Sequence, residues 1–254
     1  MAGSTAPPVL LVEDLHVRAG GREVLKGIDL SIAEGETHVL LGPNGSGKTT
    51  LLNAILGMPG YDVTEGRIES FGVDLLPLSI DERARMGIGI AFQRPPAVRG
   101  VRLRQMLIAA GGAALSEARI SEIAEELDLK AMLDRDVNLG FSGGEAKRSE
   151  MGQLIAQQPR LSLIDEPESG VDLDNIAVVG GSIRRLLRGD SASETRRAGL
   201  IITRTGNILR YVNADAGHVL YEGRIACSGN PLDLIADISR QGYERCVECA
   251  ACRQ

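Results

Sequence analysis

No stretch of this sequence approaches the roughly 20 consecutive apolar residues that crossing a bilayer requires. The first eight residues, Met1 to Pro8, have neither the basic start nor the apolar run of a signal peptide, so a cytoplasmic protein without direct membrane insertion is expected. Cysteine is scarce as well. There are four, and three crowd into the last nine residues, so they cannot staple a whole fold. Nor is there an excess of positive charge: 28 Lys and Arg against 34 Asp and Glu give a net charge of −6, and a field of that sign attracts neither a nucleic-acid backbone nor anionic lipid. What the 254 residues do supply is apolar surface, 43% hydrophobic against 24% charged, enough for a sizeable core that needs no disulfide or metal.

Along the chain, residues 1–8 carry too little apolar area to offset ordering entropy and read as a flexible lead-in. Val9 to Val17 alternates as a strand, Gly20 and Gly21 mark a hairpin turn, and Val24 to Ile32 continues in strand character, so the opening is antiparallel β. Thr37 to Leu41 is a short apolar strand, followed by Gly-rich sequence and a helix from about Thr49 to Leu56. Between Val101 and Leu133, Ile120, Ile123, Ala124 and Leu127 recur on one helical face with acids opposite, which predicts a small helical lobe. The runs Leu161 to Ile164, Leu200 to Thr203 and His218 to Tyr221 alternate with helical segments, the rhythm of a parallel sheet with crossovers. The fold class expected is therefore α/β, with one domain over residues 9–242, its helical lobe at about 101–142, and a Cys-rich tail at 243–254.

Gly42-Pro43-Asn44-Gly45-Ser46-Gly47-Lys48-Thr49 fits the phosphate-cradling pattern G-x-x-x-x-G-K-S/T, and it sits between an apolar strand and a helix as that mechanism requires. Lys48 is expected to neutralise the β- and γ-phosphates of ATP, and Thr49 to ligate Mg²⁺, with Thr50 next to it in the same turn. Further on, Asp165 and Glu166 end the apolar run Leu161 to Ile164, where they would face the crevice at the carboxyl edge of a parallel sheet. Asp165 would complete the metal shell, and Glu166 would polarise the attacking water.

Asn138-Leu139-Gly140-Phe141-Ser142-Gly143-Gly144-Glu145 resembles the ABC signature; with Gln93 at a strand end and Ser169-Gly170-Val171-Asp172 after the acids, the chain is identified as a member of the ABC ATPase family. The resemblance runs from Val9 onward. It implies an ABC-type P-loop domain with an antiparallel β subdomain, a parallel-sheet core and a helical lobe. It also implies a third metal-shell and catalytic residue in Gln93, and a head-to-tail dimer in which Ser142, Gly143, Gly144, Glu145 and Asp172 complete the partner subunit's ATP site. Within the family, Phe141, Glu145, the run Gly144 to Arg148, Ala91-Phe92-Gln93-Arg94-Pro95, Val219 to Ile225 and Gln241-Gly242-Tyr243 look like the SufC branch. That branch implies a SufB/SufD-like scaffold partner in iron–sulfur cluster assembly. The competing readings are the nucleotide-binding subunit of a membrane transporter and an ATP-gated switch of slow turnover. The aromatic that transporter ATPases usually place near Arg18 and Ala19 to stack adenine is missing, which predicts weaker base selectivity.

Two features depart from the family pattern. Arg204 follows the strand Leu200 to Thr203 where the switch histidine usually stands; it can still grip a phosphate but stays cationic, which predicts slow hydrolysis. Cys246, Cys249 and Cys252 form a C-x-x-C-x-x-C run whose spacing suits thiolate ligation of an iron–sulfur cluster or zinc. On a regular helix the three would fan across about 120° and spread over roughly 9 Å, so only an irregular tail could grip one ion. The alternative is a tail of free thiols. Cys227, inside a strand, reads as a small buried apolar residue.

Overall fold

A computed structural model describes residues 8–188 and 197–248 of the chain. The hairpin β1 (Leu10–Ala19) and β2 (Arg22–Ile32) turns at Gly20 and Gly21, and β3 (Thr37–Leu41) follows as a strand buried along its whole length. Next come α1 (Lys48–Leu56), β4 (Tyr61–Ser70), β5 (Val73–Asp74), α2 (Ile80–Arg85) and β6 (Ile88–Ala91). The lobe holds β7 (Val98–Arg102), α3 (Leu103–Gly111), α4 (Glu117–Glu126) and β8 (Asp136–Val137), and leads into α5 (Gly143–Gln157). The chain then runs through β9 (Leu161–Asp165), α6 (Leu173–Arg188), β10 (Ala198–Ile202), β11 (Ala216–Tyr221), β12 (Arg224–Gly229) and α7 (Pro231–Glu248).

The strands form an antiparallel sheet in the order β2-β1-β4-β5 and a second sheet in the order β12-β11-β3-β10-β9-β6. In the second sheet β11, β3, β10, β9 and β6 pair in parallel, and only the β12 edge is antiparallel. Period-2 alternation splits this sheet's side chains between two cores. Val39, Leu41, Ile164 and Ile201 pack with the lobe helices, α5 and α6, whereas Leu40, Leu161, Leu163, Leu200 and Ile202 pack with α1 and the antiparallel sheet.

Three details differ from the sequence expectation. The antiparallel sheet gains its third strand from β4, to which the sequence assigns no element and along which only Ile68 and Ser70 are buried. The lobe is not wholly helical: β7 and β8 pair as a two-stranded ribbon at its base. The boundary expected after 242 falls on a bend inside α7, where Gly242 takes a φ of 80°, and the helix resumes and continues to Glu248.

Candidate functional site

The parallel register decides where the chemistry collects. Strands β3, β10, β9 and β6 are neighbours, and each runs into a loop at the same edge: the phosphate loop after β3, Thr203 and Arg204 after β10, Asp165 and Glu166 at the end of β9, and Gln93 two residues beyond β6. An open cleft of about 400 Å³ lies there, lined by Val24, by Asn44, Gly45, Gly47, Lys48, Thr49 and Thr50, and by Gln93 and Glu166. No aromatic side chain is among the described residues lining it.

The loop wraps as the glycines allow. Gly47 sits at φ 111°, and a Cβ there would come within 2.6 Å of the Leu25 side chain, so no larger residue fits between β2 and the start of α1. Lys48 is buried, and its ammonium donates to the carbonyls of Gly42 (2.9 Å) and Pro43 (2.8 Å), which leaves it folded over the loop. Burial pulls its pKa below the usual lysine value, against the nearby charges of Glu166 and Asp165. Ser46 Oγ is buried without a partner, a hydroxyl held ready inside the loop.

Thr49 donates its hydroxyl to Asp165 Oδ2 at 3.0 Å, and Asp165 Oδ1 is buried with no partner. Burial raises the Asp165 pKa, and the charge of Glu166 adds to the shift. The orphaned carboxylate oxygen beside a hydroxyl is an all-oxygen donor set of the kind a hard divalent cation takes. Glu166 itself is gripped on both oxygens: Gln93 Nε2 donates to Oε2 at 2.7 Å, and Arg204 Nε meets Oε1 at 2.9 Å. Arg204 also reaches Asn44 Oδ1 in the phosphate loop at 3.3 Å. The Glu166 backbone takes φ 43°, a conformation disfavoured for any residue with a Cβ, and its N–H is pinned to Ile202 O at 3.0 Å.

Ser142 and Glu145 cap α5 reciprocally, the serine hydroxyl accepting from Glu145 N and the Glu145 carboxylate from Ser142 N at 2.7 Å. That backbone donation holds the Glu145 pKa low. Gly143 lies so close to the segment after the acids that a Cβ on it would meet Gly170 O at 2.4 Å, and Gly144 abuts the Asn175 side chain. Asp172 caps α6 through Asn175 N at 2.8 Å. None of Ser142, Gly143, Gly144, Glu145 or Asp172 lines the cleft of its own chain. Cys249 and Cys252 lie outside the described residues, as does the side chain of Cys246, and no group of three metal-ligating side chains occurs among those described. Cys227 is buried, as expected.

Sequence reading missed three acids and bases near the cleft, Lys147 and Glu150 buried and Glu168 half-buried. Glu168 accepts from Thr203 Oγ1 and, at 3.3 Å, from Thr205 Oγ1 on either side of Arg204, and burial raises its pKa. Lys147 and Glu150 on α5 both reach Phe92, and burial lifts the Glu150 pKa to about 7. The available signal was phase: residues 147 and 150 share a helical face with Met151 and Leu154, which are core.

Comparison with known proteins gives the same outline. A family model described as "ABC transporter" matches residues 25–169. The chain is 36% identical over 249 residues to "Probable ATP-dependent transporter SufC" of Escherichia coli (strain K12), covering 92% of this chain and 97% of that protein. It is 37% identical over 255 residues to "Vegetative protein 296" of Bacillus subtilis (strain 168), covering 96% and 94%, and 37% identical over 246 residues to a "Probable ABC transporter ATP-binding protein" of Streptococcus pyogenes, covering 92% and 93%. Among solved structures, a bacterial Atm1-family ABC exporter with ATP bound superposes with a TM-score of 0.76 at 23% identity, over 97% of this chain and 43% of that one. An ATP-binding cassette of an ABC transporter in its ADP conformation gives 0.73 at 24% identity, over 94% and 98%. At that identity the structural likeness speaks for the fold.

Proposed function

The chain belongs to the ABC ATPase family as a SufC-like member, and from that premise we propose that it closes as a head-to-tail pair around ATP and Mg²⁺ and uses hydrolysis to reshape a SufB/SufD-like scaffold in iron–sulfur cluster assembly. One observation carries the catalytic part: Glu166, gripped by Gln93 and Arg204, stands beside the Thr49–Asp165 pair at the mouth of the phosphate loop. In this reading Lys48 leaves the Gly42 and Pro43 carbonyls for the β- and γ-phosphates, while the loop N–H groups from Asn44 to Thr50, with that of Gly42, cradle them. Thr49, Asp165 and Gln93 would hold Mg²⁺, which when bound supplies charge neutralisation on the phosphates. Glu166 takes the proton of the attacking water once one of its oxygens is released, and Arg204 turns its fork to the γ-phosphate.

Ser142, Gly143, Gly144, Glu145 and Asp172 lie away from their own chain's cleft, which supports their serving the partner subunit's nucleotide. The scaffold reading rests on likeness to SufC over nearly the whole of both chains. A second reading, the ATPase subunit of a membrane transporter, is favoured by the names of the relatives. Glu166→Gln tests the composite site: with ATP it should elute as a dimer, and a purely monomeric variant refutes it. Anaerobic affinity purification from the source cell tests the partner, with iron and sulfide analysis. A soluble scaffold upholds the first reading, and a polytopic membrane protein replaces it with the second.

A further inference from the structure

Helix α5 starts at the signature residues and runs beneath the hydrolytic cleft, and two of its charged side chains are buried where a solvated face would be expected. Lys147 is 3% exposed and Glu150 6%. Both are aimed at one residue. Glu150 Oε1 accepts from Phe92 N at 2.9 Å, and Lys147 Nζ donates to Phe92 O at 2.5 Å and more distantly to Asp165 O at 3.5 Å. A single helix thus holds the peptide groups on both sides of Phe92. The next residue is Gln93, whose amide grips Glu166. Glu150 Oε2 has no partner, so the carboxyl is buried at a cost in stability that its one hydrogen bond does not offset.

We propose that Glu150 is a positioning residue for hydrolysis: by holding the Phe92 N–H it fixes the turn that brings the Gln93 amide onto Glu166, and it ties that pair to the helix whose N-terminus is the signature. The inference rests on Glu166 being the base. A displacement of α5 when its N-terminus engages a nucleotide carries the Phe92 peptide along, because both hydrogen-bonding groups there are anchored on the same helix. Glu150 does not line the cleft; it acts through Gln93.

The test compares Glu150→Gln, which keeps an acceptor oxygen for Phe92 N–H, with Glu150→Met, which fills a similar volume without one. Glu150→Leu replaces the latter if the thioether chain does not pack. Both variants should keep the wild-type circular dichroism and bind ATP in EDTA within about twofold of wild type, since neither touches the phosphate loop. The Gln variant should keep kcat within about threefold, and the apolar variant should lose roughly tenfold or more in kcat, the cost of a loosened catalytic geometry. Equal kcat in the two variants overturns the proposal. So does an apolar variant whose ATP affinity falls in step with kcat, which general damage to the domain would produce. Glu166→Gln assayed alongside separates the failures: if it still turns over near the wild-type rate, the base is misassigned, and if it is inactive while the Glu150 variants match each other, only the role of Glu150 falls.

Discussion

Replacing Arg204 by His should speed hydrolysis, and the geometry sets the scale. Both oxygens of Glu166 are engaged, so the carboxylate can accept a proton from water only after one grip opens. The Arg204 grip is the removable one. Its side chain is 41% exposed, so the ion pair is discounted for solvent screening to about 1 kcal/mol, which corresponds to about fivefold in rate. At pH 8 a histidine, with an ordinary pKa of about 6.5, is neutral and no longer competes for Glu166 as a cation, yet it can still donate to a phosphate. Steady-state release of phosphate should therefore show kcat of Arg204→His about fivefold above wild type at pH 8, with KM for ATP little changed. At pH 6 the imidazolium can pair with Glu166 again, and the gain should shrink. Arg204→Lys, still a cation, should show no gain at either pH. A wild-type rate equal to that of the His variant at pH 8 would refute the reasoning, as would an equal gain from Lys.

Lys48→Ala should abolish ATP binding by titration calorimetry while leaving the circular dichroism of the fold intact, because the ammonium contacts only loop carbonyls; retained affinity in the folded variant contradicts its role. Arg83, buried behind α1, donates to the carbonyls of Ala54 (2.9 Å), Ile55 (2.8 Å) and Leu78 (3.0 Å). Arg83→Met orphans the end of the helix that carries Lys48 and should cost about 3 kcal/mol, roughly 10 °C in Tm by calorimetry; an unchanged Tm would show that water replaces the guanidinium. His218, half-buried between Ser228 Oγ (2.7 Å) and His38 Nδ1 (3.0 Å), has its pKa lowered to about 4 by desolvation and then by His38. The folded state binds fewer protons than the unfolded one between pH 6.5 and about 4, so stability present above pH 6.5 is lost as pH falls through that window, by about 3 kcal/mol. Urea midpoints of wild type and His218→Gln should converge or cross over that range, and a pH-independent difference excludes the neutral imidazole. Anaerobic reconstitution should load equal iron into wild type and the triple Cys246→Ser, Cys249→Ser, Cys252→Ser variant; loss of visible cluster absorption in the variant alone would make the tail a ligand.

The elements that carry chemistry were legible because their signals are local. The strand Thr37 to Leu41, the glycine loop and the acids after Leu161 to Ile164 each announce strand, turn and carboxylate within a dozen residues, and the structure brings them to one edge. β4 was not legible: Asp62, Thr64, Glu65, Gly66 and Glu69 make it look like loop, and it is a strand because β1 offers it hydrogen bonds and Ile68 a core. Glu150 and Lys147 escaped notice for the same physical reason in reverse. Charged residues in a helix read as solvated, and the phase they share with Met151 and Leu154 gains its meaning only once Phe92 is placed over α5.

The alternation along β3 has a thermodynamic consequence. Its central residues belong to different halves of the interior, Val39 and Leu41 to the one with the lobe and Leu40 to the one with α1, and the phosphate loop hangs from its last residue. Ligand binding free energy is folding free energy for whatever the ligand holds together, about 2.7 kcal/mol at a ligand concentration a hundred times Kd. At this position that gain cannot be confined to one half, since neither can melt without pulling β3 out of register. Nucleotide should therefore raise the cooperativity of the whole domain, so that both halves melt together in its presence.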